Sequence, residues 1–393
     1  MTVLHLLLFL MLHIIIACAN DTILTLKTDL IYDLYHLNLN AEVGNEHYNL
    51  YYFEIDLKSD YPIFDYTIFN NENIIVDYIY RKLIMNHTAI PCKQITYPFY
   101  FSGHPLNFTF LNIINDCHYS YKQHIVTFPF LYNKQFSLLD KAVEDGHISR
   151  RTFALGANTE FSGVMYIGGI PSDVLKGTFD FTVIVNPSYK TWGFNIDSVY
   201  LHNFSRFNKT EQYLYIQPRE RGFFVPLSFM KYLNDTYFNV YYNEEKCYYR
   251  VIDMVHYIEC LCGVFDTFSY INFEVKGRVL SIAFNKLVQV EKVIDDRKDE
   301  ICALKIKHSE KDEYYEDRNK FILGTPFIDT YLTQFDYDKK TITMYSHRPF
   351  IETKEKENSQ MSNHSKYIQL FHITNITINI LCVIIMIIQS NIK

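Results

Sequence analysis

Hydrolysis by paired carboxylates needs two of them about 3 Å apart, sharing one proton, so that one activates a water while the other donates to the substrate. Two polar turns in this sequence follow apolar runs. The first is Asn70-Asn71-Glu72, between Tyr66-Thr67-Ile68-Phe69 and Ile74-Ile75-Val76; the second is Gln217-Pro218-Arg219, after Tyr215-Ile216. Amides at Asn70 and Gln217 have no basic lone pair and cannot exchange a proton in that cycle. The nearest carboxylates are Glu72 and Glu220, with Asp65 and Asp77 also close to the first turn. Arg219 and Arg221 flank Glu220, so a Glu72/Glu220 pair is expected to form salt bridges rather than share a proton. Other hydrolytic and nucleotide motifs (Gly-x-Ser-x-Gly, His-Glu-x-x-His, a phosphate loop, a dinucleotide fingerprint) are absent from the sequence. His104, His118 and His124 are scattered. No cofactor and no metal site is expected.

The turns need strands to hold them. Tyr51, Phe53, Ile55 and Leu57 alternate as in a strand, with Ser59-Asp60-Tyr61-Pro62 as the turn after it. Phe136, Leu139 and Val143 share a helical face that Gly146 ends, and Pro226 opens a second short helix carrying Phe229, Met230 and Leu233. Trp192, Phe194 and Ile196 alternate; so do Ile271, Phe273 and Val275 ahead of a Lys276-Gly277 turn. Near the C-terminal end, Phe335/Tyr337 and Ile342/Met344 flank Asp338-Lys339-Lys340, a hairpin signal. Residues 285–320 are rich in charge and are expected to form an exposed insertion.

Residues 321–345, opening Phe321-Ile322-Leu323-Gly324, resemble the closing segment of pepsin-like aspartic peptidases, where a hydrophobic pair plus Gly runs beside a catalytic loop. Ser162-Gly163-Val164-Met165-Tyr166-Ile167-Gly168-Gly169 is similar to that family's central strands, and Ile196-Asp197-Ser198-Val199 to its entry into the second lobe. The resemblance implies an all-β, bilobal acid-protease fold with a few short helices. It divides the chain into a first, shortened lobe over 51–150, after an N-terminal segment 20–50, and a second lobe over 151–350 that includes the inter-lobe sheet. It also implies an Asp-Thr/Ser-Gly motif on each of two loops. Both are replaced, with Asn70 and Gln217 at the positions equivalent to the catalytic Asp pair. Tyr97 stands where the family's flap carries its Tyr, and resemblance to the second lobe joins Cys302 to Cys260 or Cys262.

With 393 residues, 48% of them hydrophobic, the chain can fill two cores. The 33 Tyr and 31 Phe against 13 Gly favour strands. A net charge of −7 without a basic stripe argues against nucleic-acid binding. Residues 1–19 read as a signal peptide ending Ala17-Cys18-Ala19. Residues 351–367 form a polar stalk, and 368–388 read as a transmembrane helix or a GPI signal. Sequons at Asn86, Asn107, Asn203, Asn208, Asn234 and Asn363, with six cysteines between 92 and 302, point to the secretory route or cell surface, with the ectodomain luminal or extracellular. Together these readings describe a membrane-tethered peptidase homologue lacking both catalytic Asp residues, which binds a peptide or protein. The alternatives are an active aspartic endopeptidase using other carboxylates, and a surface antigen.

Overall fold

The computed structural model describes residues 23–352 apart from internal stretches, the longest being 65–78, 114–123 and 310–319; over most of 25–126 it describes the backbone alone. The expected signal peptide and the 368–388 segment lie outside the described residues, as do Asn86, Asn203, Asn208 and Asn363. Among the described residues no helix is long and apolar enough to cross a membrane.

The described chain is mostly strand with a few short helices, as expected. A 13-stranded sheet carries the N-terminal half, and a 9-stranded and a 4-stranded sheet carry residues 193–352 outside it. The hairpin expected from the alternation near the C-terminus forms: Leu332–Asp336 pairs with Thr341–Ser346, Phe335 opposite Ile342 and Thr333 opposite Met344. Phe335, Ile342 and Met344 are buried because period 2 places them on one face. Lys340 closes the turn at φ 54°, in the left-handed region. This hairpin pairs with Thr152–Ala157, which pairs with Ser162–Ile167. Leu24–Ile31 then joins the N-terminal segment to the same sheet.

The core around this sheet is aromatic. Phe153 stacks on Phe335 at 4.6 Å between centroids, and Trp192 stands edge-on to Phe335 and Tyr337. The indole of Trp192, fully buried, donates to Phe128 O at 2.8 Å, and Tyr337 Oη donates to Pro129 O at 2.9 Å. Both aromatic polar groups are thereby satisfied inside the core. The two expected helices are Leu138–Glu144, with Ser137 Oγ accepting from the Asp140 N–H, and Leu227–Leu233, which buries Phe229, Met230 and Leu233.

The charge-rich stretch after 285 differs from expectation. Val288–Ile294, Asp299–Leu304 and Ile306–Ser309 are strands of the 9-stranded sheet. The charges of the segment are concentrated in the sequence at 295–300 and 310–318, while Cys302, Ala303, Leu304 and Ile306 are buried. Averaging charge over the segment hides those buried residues. Disulfides join Cys247 to Cys260 and Cys262 to Cys302. Cys302 lies opposite Cys260 in strand register, but Cys260 also lies opposite Cys247 and bonds there, which leaves Cys262 for Cys302.

Tyr331 links the closing segment to the 4-stranded sheet: its hydroxyl accepts from the Ser281 N–H at 2.8 Å and donates to Ser281 O at 2.9 Å. Burial pushes its pKa above the ordinary tyrosine value, against the opposing hydrogen bond from Ser281. A phenol whose folded pKa is raised contributes stability that is present below about pH 10 and lost as pH climbs through the folded value. The melting temperature is therefore expected to fall above about pH 10. Tyr331→Phe should flatten that fall and cost about 1–3 kcal/mol at pH 7, because the Ser281 backbone loses its partner. An unchanged alkaline slope in the variant would refute the assignment.

Candidate functional site

The strand Glu46–Asp56 runs parallel to His124–Thr127, with Asp56 opposite Thr127 at its end and Asp56 O accepting from the Phe128 N–H at 2.8 Å. Successive side chains alternate across a strand, so Ile55 and Leu57 enter the core while Glu54 and Asp56 share the other face. That face is not solvent: Glu54 is 6% exposed and Asp56 2%.

The second loop meets them there. Tyr213–Ile216 pairs in parallel with Lys320–Leu323, and the Gln217 N–H donates to Leu323 O at 2.9 Å. Gly324 N–H donates to Gly222 O at 3.0 Å, and Thr325 N–H to Glu220 O at 2.8 Å. A Cβ on Gly324 would run into the carbonyl oxygens of Glu220 and Gly222, which is why a glycine stands at this place. The apolar-plus-glycine segment read from the sequence thus lies against the second loop.

The Gln217 carboxamide, 4% exposed as a residue, spans the two loops. Its Oε1 accepts from the Leu57 N–H at 3.1 Å, which orients Nε2 to donate to Asp56 Oδ1 at 2.8 Å. Asp56 Oδ1 also accepts from the Lys58 N–H at 2.7 Å. Arg219 completes the network, donating through Nη1 to Asp56 Oδ2 at 2.9 Å and through Nε to Glu54 Oε2 at 2.8 Å. Burial alone would lower the Arg219 pKa, but the charges of Asp56 and Glu54 and their hydrogen bonds raise it overall. The guanidinium is fixed as a cation between two buried carboxylates.

Asn70, expected opposite Gln217, lies outside the described residues together with Glu72, Asp65 and Asp77; among the described residues the Gln217 amide nitrogen donates to Asp56. Glu220 takes part through its backbone. Tyr97 lies on the strand Thr88–Phe101, opposite Phe108, and His104 and His124 each begin a strand; His118 lies outside the described residues. Asn107 is on the strand His104–Ile113. Asn234 opens the wide helical turn Asn234–Phe238, with Nδ2 donating to Asp235 and Oδ1 buried without a partner. No group of three or more potential metal ligands occurs among the described residues.

Asp56, Glu54 and the role of Arg219 were hidden because Phe53-Glu54-Ile55-Asp56-Leu57 reads as a strand with a wet acidic face. One signal was present: two acids on that face at a strand end, followed by a polar turn.

Chemically the centre of the site is the Asp56 carboxylate, clamped by an amide, a backbone N–H and a guanidinium that also binds Glu54. Each of these three bonds is accepted by the ionised form of Asp56. Gln217 presents a donor where a second carboxylate would share a proton.

A family model described as eukaryotic aspartyl protease matches residues 125–346. Among solved structures, an aspartic proteinase from Irpex lacteus superposes with a TM-score of 0.61 at 11% identity, covering 86% of this chain and 99% of its own. No curated relative matches the chain.

Proposed function

The chain belongs to the eukaryotic aspartyl protease family, and from that premise we propose that it is a catalytically silent member that acts by binding a peptide or protein. The observation that carries this reading is the Gln217 amide donating to Asp56, with Arg219 on the other carboxylate oxygen. Peptide hydrolysis by this family's chemistry passes one proton between two carboxylates while water attacks. Here the amide cannot take the proton, and Arg219 holds Asp56 as an anion. An active endopeptidase would need a second carboxylate facing Asp56. Glu54 lies on the same strand and is bridged to Asp56 through Arg219, not set opposite it.

Tethering belongs to the same proposal. The apolar 368–388 segment, the leader at 1–19 and the sequons support a membrane-anchored glycoprotein of the secretory route. The two disulfides fit an oxidising compartment.

The purified full-length chain, assayed against a mixed peptide library at acid pH, is expected to show no cleavage sensitive to pepstatin, while selected peptides from the same library remain bound to it. A pepstatin-sensitive rate would overturn the reading.

A further inference from the structure

The strand Cys247–Ile252 and its neighbour Val255–Leu261 form a hairpin at the margin of the 9-stranded sheet. Cys247–Cys260 staples its base, and Asp253 and Met254, at φ 50° and 63°, close its tip. Among the described strands, Val255–Leu261 is the only one that pairs with Cys247–Ile252. Edge strands of soluble proteins are usually guarded by Lys, Pro, a bulge or brevity. This one has none of the first three: its register runs unbroken from Cys247 opposite Cys260 to Ile252 opposite Val255. Apart from Arg250 its exposed side chains are apolar or aromatic, with Tyr248 46%, Tyr249 36%, Val251 54% and Ile252 53% exposed, and Met254 at the tip 60%.

We infer that this edge is a self-association surface, on which the Cys247–Ile252 strands of two copies of the chain pair antiparallel across a two-fold axis.

Three features favour a second copy as the occupant. The only charged side chain on the strand, Arg250, is neutralised within its own subunit by Glu259 at 3.0 Å and lies over the Tyr248 ring. Two such strands therefore meet without the like-charge repulsion that would separate them. The five exposed side chains offer on the order of 500 Å² of mostly apolar surface per copy. Edge pairing covers part of that surface in each of two copies, which places the contact among weak, reversible interfaces. Last, one edge of the strand is already used by Val255–Leu261, so pairing through the other consumes what remains. An isologous contact then closes at two copies and cannot propagate.

The test uses the full-length chain carrying Val251→Cys and a short bis-maleimide, with the unmodified chain giving the background from native thiols and Ile184→Cys as an exposed control on the strand Phe179–Ile184. The expected result is a single cross-linked dimer band for Val251→Cys only, and a loss of about tenfold when Ile252→Lys is added, the equivalent of about 1.4 kcal/mol. Unchanged Trp192 emission shows that Ile252→Lys still folds; Ile252→Thr repeats the test if it does not. Cross-linking at or below background, cross-linking that survives both second substitutions, or a ladder of higher species would each overturn the proposal. So would capture of the monomer by lipid vesicles that depends on Ile252.

Discussion

Arg219→Ala is expected to cost about 3–5 kcal/mol of folding stability, because it leaves two buried carboxylates without their cation. Glu54 and Asp56 are too enclosed for water to replace the guanidinium fully. In the substituted protein two neighbouring carboxylates repel one another with no cation between them, so the deficit should shrink as falling pH removes that charge. Urea unfolding at pH 7 and in acid, followed by emission from Trp192, the single tryptophan, measures both effects. Removing all three charges together, as Glu54→Gln, Asp56→Asn and Arg219→Met, should recover most of the loss, since a neutral network needs no buried counter-charge. A deficit in Arg219→Ala below about 1 kcal/mol, the range of exposed ion pairs, would mean that the bridge is open to solvent.

Gln217→Glu asks the complementary question with almost no change of shape. It replaces the Nε2 donor, 2.8 Å from Asp56 Oδ1, with an oxygen. Two carboxylates at that separation cannot both be ionised, so one must take a proton. The variant should lose about 2–4 kcal/mol at neutral pH, by analogy with the breaking of other buried polar pairs. The shared proton gives the folded pair in this variant a pKa above the unfolded carboxylate value. Stability is then retained in acid and lost as pH rises through the folded pKa. Gln217→Glu should nevertheless not cleave peptides, because Arg219 still holds Asp56. A flat pH profile would show that the amide does not point its nitrogen at Asp56. Acid-dependent cleavage would show that the dyad, and not the arginine, is decisive.

The two substitutions separate structure from chemistry. Arg219 and Gln217 together donate to both oxygens of Asp56. Strand pairing and the close approach at Gly324 hold the second loop in place. A polar, fully hydrogen-bonded floor of this kind can join two loops as firmly as it could activate water.

Local periodicity carries the part of this fold that is legible from residue order. The closing hairpin is legible because Phe335, Ile342 and Met344 must be on one buried face. The helices at 138 and 227 are legible because their apolar spacing is helical, and Gln217 because apolar strand, polar turn and helix follow one another without interruption. Tertiary structure alone decided what faces Gln217. Alternation in Phe53-Glu54-Ile55-Asp56-Leu57 says only that the acids lie on the face opposite the apolar residues. Whether that face meets water or another loop depends on a segment 160 residues away. The same limit hid the strands after 285, whose buried residues are outnumbered in the sequence by nearby charge, and left Cys302 with two possible partners until strand register supplied a third cysteine to one of them. Periodicity assigns a side to each residue; only packing assigns the neighbour on that side, and the chemistry of this site resides in the neighbour.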